Sequence, residues 1–391
     1  MSVYHQRLAE TGKPMWCLEF QTGSQGTAFG LYGAVRRYVM LCPLHRAQMF
    51  LGWTFRSMLG GEEQYLFGML GHDGIPTPNY YEYQWIARDL KKLERYGFPY
   101  LPWPEIAVAY NYDSCWSGQY SGRHYRMGYS SALTEMERVF FRNNRDFNVV
   151  DLRNVKGNYK LLIVPHHIVM EPAAAQEIKD YVASGGTVIM TGYSAKVDEY
   201  GQVFDVPQPG LLGEGFGLWV AGHQRTDMVW TFSENAKITE NSGVPREVLR
   251  VCSDNESFET ELDYYEILDL HSARCMAYFE GKDLCAVSEN SYGKGYAYYT
   301  AAETNAEILF WLVEKVAKRL GLQERLLVPE GVQAREIAPG QYFYVNATDE
   351  EKEISLRERG KGVLSEKWYS SALNLKPYDA ELVVAEEYPR P

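Results

Sequence analysis

Two short apolar runs near the start of the chain each end in charged and aromatic residues. The first, Met15 to Phe20, carries Glu19 close to its end and is followed by polar residues and glycine. The second, Ala47 to Phe55, contains Trp53 near its end and is followed by Arg56. Runs of this length are typical of buried strands, and a buried carboxylate without a partner is costly. We therefore expect two strands that deliver Glu19 and Trp53 to one rim, an arrangement that suits a sugar site.

Helical spacing alternates with these runs. Apolar residues recur at helical intervals over Gly30–Leu41 and Asn79–Tyr96, and the second stretch stops at Gly97, a typical helix C-cap. Three prolines between residues 98 and 104 exclude a continuing helix or a central strand, so this segment is predicted to be a linker. The order β-α-β-α defines a first domain over residues 1–104.

The remainder of the chain divides into two further predicted domains. Residues 105–325 alternate apolar runs with helical stretches, which predicts an α/β domain with parallel strands and right-handed crossovers. Residues 326–391 alternate with a period of two and turn often, which predicts a small antiparallel β domain. At 391 residues the chain is long enough for two or three domains.

Composition excludes several functions. A net charge of -12 argues against a nucleic-acid partner, and no apolar run approaches the ~18 residues of a membrane span. The first residues lack an apolar signal core, so we expect a cytoplasmic protein. The six cysteines are scattered, and nucleotide-binding loops are absent, so no metal or cofactor is expected. The 30 tyrosines and 9 tryptophans favour a carbohydrate ligand, although a tyrosine-rich surface without a ligand has the same composition.

Individual side chains leave alternatives open. Glu19 is either functional or a salt-bridged carboxylate at a strand end. Of the adjacent acids Glu62 and Glu63, at most one is expected to turn inward, beside Trp53 and Arg56. Asp73 fits a turn, and the neighbouring His72 is a candidate binding residue.

The segment from Pro14 to Gly74 resembles the late barrel strands of glycoside hydrolase family 42, the β-galactosidases. The resemblance rests above all on LEFQTG at 18–23, WTFRS at 53–57 and GGEEQ at 60–64. The succeeding order of domains is also similar to that family. It implies the last strands of a (β/α)8 TIM barrel, then an amidotransferase-like (flavodoxin-like) trimerisation domain and a small antiparallel β-sandwich.

The resemblance also implies roles for particular residues. Glu19 matches the nucleophile of a retaining β-galactosidase, and Glu63 matches the glutamate that binds galactose. Trp53 and Arg56 lie on the strand that precedes it and are expected to contact substrate. The family often has a binding histidine three residues after that glutamate, where this chain has Leu66, and His72 is the candidate replacement.

A retaining glycosidase also needs an acid/base carboxyl about 5–5.5 Å from its nucleophile. The family keeps it in an Asn-Glu pair on an earlier barrel strand. The pair Asn255-Glu256 lies in a polar segment of the middle domain and does not fit. We therefore expect the C-terminal portion of such an enzyme, weakly active or inactive alone, with the acid/base and the first barrel strands on missing sequence. Its expected partners are a β-galactoside, that N-terminal barrel half and further copies of the chain in a trimer.

Other functions fit the sequence less well or remain open. Amidotransferase activity would need a cysteine on a glycine-flanked turn, and Cys115 lacks the glycines. His166 and His167 are neighbours that would face opposite ways on an extended backbone, which is poor geometry for a shared metal. A non-catalytic oligomerisation or binding module remains an alternative, as does a related β-glycosidase such as an α-L-arabinopyranosidase or β-fucosidase.

Overall fold

The computed structural model describes residues 12–21, 33–66, 68–98, 100–120, 128–155, 159–225 and 246–387. The chain divides into two compact units, each assembled from separate segments. Unit 1 comprises residues 1–103, 141–145 and 324–391, and unit 2 comprises residues 104–140 and 146–323. The predicted first and last domains therefore both belong to unit 1.

The described residues form seven α-helices, four short 3-10 helices and twenty β-strands. The α-helices of the described residues are α1 (Ala34–Leu41), α2 (Pro78–Glu94), α3 (Tyr112–Tyr120), α4 (Tyr129–Arg142), α5 (Pro172–Ala183), α6 (Gly213–Phe216) and α7 (Ala306–Leu320). Short 3-10 helices cover Cys42–His45, Glu62–Tyr65, Leu152–Asn154 and Gly210–Leu212. The strands are β1 (Met15–Gln21), β2 (Ala47–Trp53), β3 (Ile106–Ala109), β4 (Asn148–Val150), β5 (Leu161–Val164), β6 (Thr187–Thr191), β7 (Leu218–Arg225), β8 (Glu247–Cys252), β9 (Ser257–Leu262), β10 (Tyr264–Leu270), β11 (Arg274–Phe279), β12 (Leu284–Tyr292), β13 (Gly295–Thr300), β14 (Val332–Ala338), β15 (Gln341–Asn346), β16 (Lys352–Ser355), β17 (Gly360–Gly362), β18 (Trp368–Tyr369), β19 (Ala372–Leu375) and β20 (Ala380–Ala385).

In unit 1, β1 and β2 form a two-stranded parallel sheet. Helices α1 and α2 cover one face of this sheet, because Met15 and Phe20 pack against Val39 of α1 and Ile86 of α2. The predicted helix over residues 79–96 is thus present as α2, and the helix predicted from residue 30 is described from residue 34. Residues 22–32, which include the glycine-containing loop predicted after Glu19, lie outside the described part of the chain.

The C-terminal part of unit 1 contains two antiparallel sheets. One has five strands in the order β14-β15-β20-β17-β18, and the other pairs β16 with β19. Tyr342 and Tyr344 of the larger sheet share a core with Ile354 and Leu373 of the smaller one. On the opposite face of the larger sheet, side chains including Phe343 pack against residues of α1 and α2. The larger sheet is therefore covered by helices on one side and by strands on the other.

A buried arginine joins the two ends of the chain inside unit 1. Arg36 on α1 is 1% exposed, and its Nε and Nη2 donate to Asp89 of α2 at 3.0 and 2.6 Å. Its Nη1 donates to Asp379, between β19 and β20, at 2.6 Å. The guanidinium also lies 4.1 Å from the centre of the Trp85 ring, and Glu82 accepts the Arg36 backbone N–H at 2.7 Å. Two carboxylates and a ring thus compensate one cation that is removed from water.

Unit 2 is built on a nine-stranded sheet in the order β4-β3-β5-β6-β13-β12-β11-β8-β9. The strands β3 to β6 pair in parallel, as the alternation of strands and helices predicted. The strands β8, β9, β11 and β12 are antiparallel, which the sequence interpretation did not anticipate. Within the described residues, no helix combines the length and the apolar character that crossing a bilayer requires.

We expect Arg36→Met to lower the free energy of unfolding of unit 1 by about 3–5 kcal/mol, because Asp89 would keep a buried charge without its partner. Urea unfolding followed by tryptophan fluorescence measures this change. Lys352→Met is the matched control in unit 1, since it removes a cation whose partner Glu350 lies at the surface. An Arg36→Met protein that unfolds at the same urea concentration as Lys352→Met would contradict the proposed importance of the buried cation.

Candidate active site

The ends of β1 and β2 lie side by side at one edge of their sheet. Phe20 is opposite Gly52, and Gln21 is opposite Trp53. Because the strands are parallel, both carboxyl ends reach the same edge. This edge therefore carries Glu19 from one strand and Trp53 from the other.

A bulge in β1 sets the direction of Glu19. The register passes from Cys17 opposite Phe50 to Phe20 opposite Gly52, so β1 has one residue more than β2 over this step. An extra residue of this kind re-aims the following side chains. Phe20 consequently packs in the core beneath the sheet, edge-on to Phe50, whereas Glu19 is exposed.

The carboxylate of Glu19 is not part of an ion pair or hydrogen bond with any residue that the structure describes. Its neighbour Leu18 is 63% exposed, and Trp16 and Leu51 are also exposed. Within the described residues, Glu19 is thus not a salt-bridged carboxylate at a strand end. An available carboxylate beside apolar surface can act as a nucleophile or accept hydrogen bonds from a ligand.

Trp53 and Glu63 are brought together. The indole Nε1 of Trp53 donates a hydrogen bond of 3.0 Å to Glu63 Oε2. Glu63 is partly buried in the 3-10 helix that follows Gly61, while the adjacent Glu62 is exposed. Gly61 has φ 85°, which is the left-handed region that favours glycine. The turn at Gly61 therefore leads into the short helix from which Glu63 faces the end of β2.

Arg56 and His72 occupy the loop that follows Trp53. Arg56 Nη2 donates to the His72 carbonyl oxygen at 2.9 Å, and His72 Nε2 lies 2.6 Å from the Gln64 carbonyl oxygen. Asp73 accepts from the Ile75 N–H, as a turn residue does. The two predicted binding residues thus contact each other through the His72 carbonyl oxygen, and the His72 ring faces the backbone of Gln64, next to Glu63.

This loop is packed tightly against the end of β2. The backbone amides of Met69 and Leu70 donate to the carbonyl oxygens of Thr54 and Phe55 at 3.1 and 2.8 Å. A Cβ at Gly68 would lie 2.4 Å from the Thr54 oxygen, a distance that real Cβ atoms do not show. Gly68 therefore permits the close approach that holds Arg56 and His72 near the strand end.

The neighbouring histidines of unit 2 are buried. His166 and His167 follow β5, and both side chains are almost fully enclosed. None of their ring nitrogens has a hydrogen-bond partner in the described part of the chain. Burial lowers the pKa of His166 to about 3, with a further contribution from Lys196, and burial lowers the pKa of His167 to about 4. Both rings are therefore neutral at pH 7, stacked or packed rather than exposed for binding.

The sequence interpretation missed a buried carboxylate in unit 2. Glu266 accepts hydrogen bonds from Lys196 Nζ at 2.5 Å, Tyr264 at 2.7 Å and Tyr299 at 2.6 Å. Burial, together with the Glu266 charge, raises the pKa of the Tyr299 hydroxyl well above its usual range. The only sequence signal was a glutamate at an inward position of a strand rich in aromatic residues. Lys196 and Tyr299 lie 70 and 33 residues away in the sequence, so their pairing with Glu266 was not predictable.

The fold and this site define a multidomain α/β protein with a carboxylate and a tryptophan at the end of a parallel strand pair. The family described as "Beta-galactosidase trimerisation domain" matches residues 104–323, more than half of the chain. The chain belongs to this family, and the predicted resemblance to glycoside hydrolase family 42 is confirmed.

Individual relatives agree with this assignment. The chain is 24% identical over 352 residues to the β-galactosidase GalA of Bacillus licheniformis, covering 87% of this chain and 49% of that protein. It is also 24% identical over 318 residues to the β-galactosidase BgaB of a Geobacillus species, covering 79% of this chain and 44% of that protein. The chain thus spans about half the length of the curated relatives it matches.

Solved structures show the same fold. The β-galactosidase of Bacillus circulans sp. alkalophilus superposes with a TM-score of 0.84 at 19% identity, covering 98% of this chain and 57% of that one. A catalytic mutant of a GH42 β-galactosidase from G. stearothermophilus gives a TM-score of 0.77 at 24% identity, covering 91% of this chain and 51% of that one. These likenesses extend to both units of the chain.

We expect acid to destabilise unit 2 through His166 and His167. Their pKa values lie below the unfolded value of about 6.5, so below pH 6.5 the unfolded state binds protons that the folded state does not. The free energy of unfolding should therefore fall by up to about 1.4 kcal/mol per pH unit for each histidine, between pH 6.5 and about 4. Urea unfolding at several pH values measures this slope.

The test variant carries both His166→Gln and His167→Gln. Its matched control is His271→Gln, which alters an exposed histidine of the same unit. The double variant should have a shallower pH dependence than the unsubstituted chain, and His271→Gln should retain it. Equal slopes in all three proteins would show that the buried pair does not cause acid sensitivity.

Proposed function

We propose that this chain forms part of a retaining β-galactosidase, in which Glu19 is the nucleophile. The observation that carries the proposal is the placement of an available Glu19 carboxylate and the Trp53–Glu63 pair at the same end of two parallel strands. The relatives named β-galactosidases support the substrate class. The hydrolase assignment itself rests on membership of the family.

In the proposed reaction, the Glu19 carboxylate attacks the anomeric carbon of a terminal β-galactoside, and the bond to the leaving oxygen breaks. A second carboxyl protonates that oxygen, and an ester links Glu19 to the sugar. The second carboxylate then removes a proton from water, which attacks the anomeric carbon and releases both galactose and Glu19. Two inversions leave the product with the configuration of the substrate.

The remaining site residues bind and orient the sugar. Glu63 can accept hydrogen bonds from galactose hydroxyls through the oxygen that Trp53 does not occupy, and its charge strengthens those bonds. Trp53 offers an exposed ring face for the apolar face of the sugar. Arg56 and His72 form the outer wall of this subsite, where Arg56 can donate to hydroxyl oxygens.

We propose that the acid/base carboxyl and the remaining strands of a TIM barrel lie on polypeptide outside this sequence. Trp16, Leu18 and Leu51 expose apolar surface on a sheet of two strands. A sheet of this size has unpaired edges and cannot close a barrel. On this proposal β1 and β2 are the last two barrel strands, unit 2 provides an amidotransferase-like α/β domain and the C-terminal sheets form a β-sandwich.

The test is to co-produce the chain with a polypeptide that supplies the other barrel strands, from the encoding locus or from the B. licheniformis relative. We expect turnover of an aryl β-galactoside only in the complemented protein. Glu19→Gln should lower kcat by at least about 10³-fold, and Glu63→Gln should lower kcat/KM about 10–100-fold by weakening charged hydrogen bonds. The exposed Glu62→Gln is the matched control and should leave both parameters unchanged.

Covalent labelling tests the nucleophile directly. A dinitrophenyl 2-deoxy-2-fluoro-β-galactoside carries a leaving group that departs without a proton, so its sugar should accumulate on Glu19 and be located by peptide mass spectrometry. Labelling of another carboxylate, or full activity of Glu19→Gln, would refute the assignment. A complemented protein that neither turns over nor binds β-galactosides, α-L-arabinopyranosides or β-fucosides would favour the non-catalytic module.

We further propose that unit 2 associates into a homotrimer. The family description names trimerisation, and the segment from β6 to β7 exposes several large apolar side chains. These are Tyr200, Val203, Val206, Leu211 and Trp219. Exposed apolar residues concentrated in one segment are typical of association surfaces, and three copies related by rotation form a closed assembly.

We expect Trp219→Glu to convert the trimer into monomers, because it places a charge within a surface that association would bury. Light scattering coupled to size-exclusion chromatography measures the mass. Leu327→Glu, which alters an exposed apolar residue of unit 1, is the control and should remain trimeric. A monomeric unsubstituted chain, or a trimeric Trp219→Glu protein, would overturn this surface assignment.

A further inference from the structure

A second aromatic cleft lies on unit 1, at the free edge of the five-stranded sheet. Strand β18 is the last strand of that sheet and pairs only with β17 there. Trp368 on β18 is 49% exposed. The cleft beside it has a volume of about 140 Å³, and its lining includes Tyr96, Lys361, Glu366 and Glu386.

The sheet register places the floor of this cleft in one row. Lys361 of β17 is opposite Trp368 on one side and opposite Val384 of β20 on the other. Directly opposite residues of antiparallel strands share a face. The row therefore runs from the buried Val384 through Lys361 to the exposed Trp368 indole at the edge of the sheet. Tyr96, just after α2, borders this row.

The rim of the cleft is held in position by hydrogen bonds. Lys92 Nζ of α2 donates to Leu364 O at 2.9 Å and to Glu366 Oε1 at 3.0 Å, which fixes the turn between β17 and β18. The Lys92 ammonium also holds the pKa of Glu366 below its usual range, so this carboxylate is ionised at neutral pH. The opening is thus flanked by a preorganised acceptor before any ligand arrives.

A second ion pair flanks the indole. Arg359 Nε lies 3.3 Å from Glu386 Oε2, and the Arg359 guanidinium is 5.6 Å from the centre of the Trp368 ring. The Lys361 ammonium has no hydrogen bond or ion pair with any group of the described residues, so it is available as a donor. The groups near the opening thus include both cations, Lys92, Lys361 and Arg359, and carboxylates, Glu366 and Glu386.

This combination of groups selects a class of ligand. An anion would meet Glu366 and Glu386, and a cation would meet Lys361 and Arg359, so a neutral ligand is favoured. The volume of about 140 Å³ has room for several water-sized groups, so a small ligand unit fits the cleft better than a large one. A half-exposed indole stacks on the apolar face of a sugar ring, and the flanking ammonium and carboxylates bond its hydroxyls.

We propose that the cleft around Trp368 is a non-catalytic saccharide-binding site that holds one sugar unit of a neutral oligosaccharide. The site is separate from the strand ends of β1 and β2 and requires no chemistry at Glu19. It would keep a polymeric substrate on the protein between cleavage events, which is a function additional to the one proposed above. The binding site itself does not depend on the hydrolase proposal, whereas this role between cleavage events rests on it.

Saturation-transfer difference NMR on the full chain tests the proposal, with β-1,4-galactotriose as the probe and cellotriose as a second neutral trisaccharide. Trp53→Ala first removes the contribution of the candidate active site. We expect transfer to at least one trisaccharide to persist in Trp53→Ala and to weaken about tenfold or more when Trp368→Ala is added. Trp368→Tyr, which keeps a stacking ring, should restore part of the signal.

Trp116→Ala in the Trp53→Ala background is the matched control, because it removes a half-exposed tryptophan of unit 2 that lies outside the proposed association surface. It should not reduce the transfer, and circular dichroism checks that each variant is folded. The proposal is overturned if Trp53→Ala shows no saturation transfer to either trisaccharide at millimolar concentration. It is equally overturned if adding Trp368→Ala leaves the transfer unchanged, since the bound sugar would then lie elsewhere.

Discussion

The buried guanidinium of Arg36 is the interaction on which unit 1 depends. Placing one cation out of water requires compensation from several directions, and Arg36 obtains it from Asp89, Asp379 and the Trp85 ring. These partners come from α2 and from the turn before β20, more than 50 and more than 340 residues away in the chain. The first hundred residues are thereby joined to the last seventy in one folded unit.

This constraint explains how two parallel strands hold a defined shape. An isolated two-stranded sheet is at best marginally stable in water. Here α1 and α2 cover one face of β1 and β2, and the same helices pack against the five-stranded sheet through residues such as Met40 and Leu93. The bulge that turns Phe20 into this core leaves Glu19 exposed. Burial of an aromatic ring therefore determines where the candidate nucleophile is presented.

Local patterns predicted much of this from the sequence. The apolar stripe of α2, the runs that became β1 and β2, and the alternation of strands and helices in the first part of unit 2 all follow from periodicity. Burial of Arg36 and Glu266 was not predictable, because most of their partners are distant in the sequence and a charged residue is ordinarily assigned to the surface. The bulge at Glu19 and the selection of Glu63 over Glu62 depend on register and on one glycine turn, which periodicity does not encode.

The two faces of the β1–β2 sheet differ in a way that bears on function. The helix-covered face is packed and closed, whereas the other exposes Trp16, Leu18 and Leu51. A carboxylate at the end of such a face remains hydrated and its charge is screened. Covering the apolar residues with further strands would remove that water and strengthen every electrostatic interaction of Glu19 with a sugar. On the proposal that Glu19 is the nucleophile, the exposed apolar surface is thus also the surface whose covering would activate it.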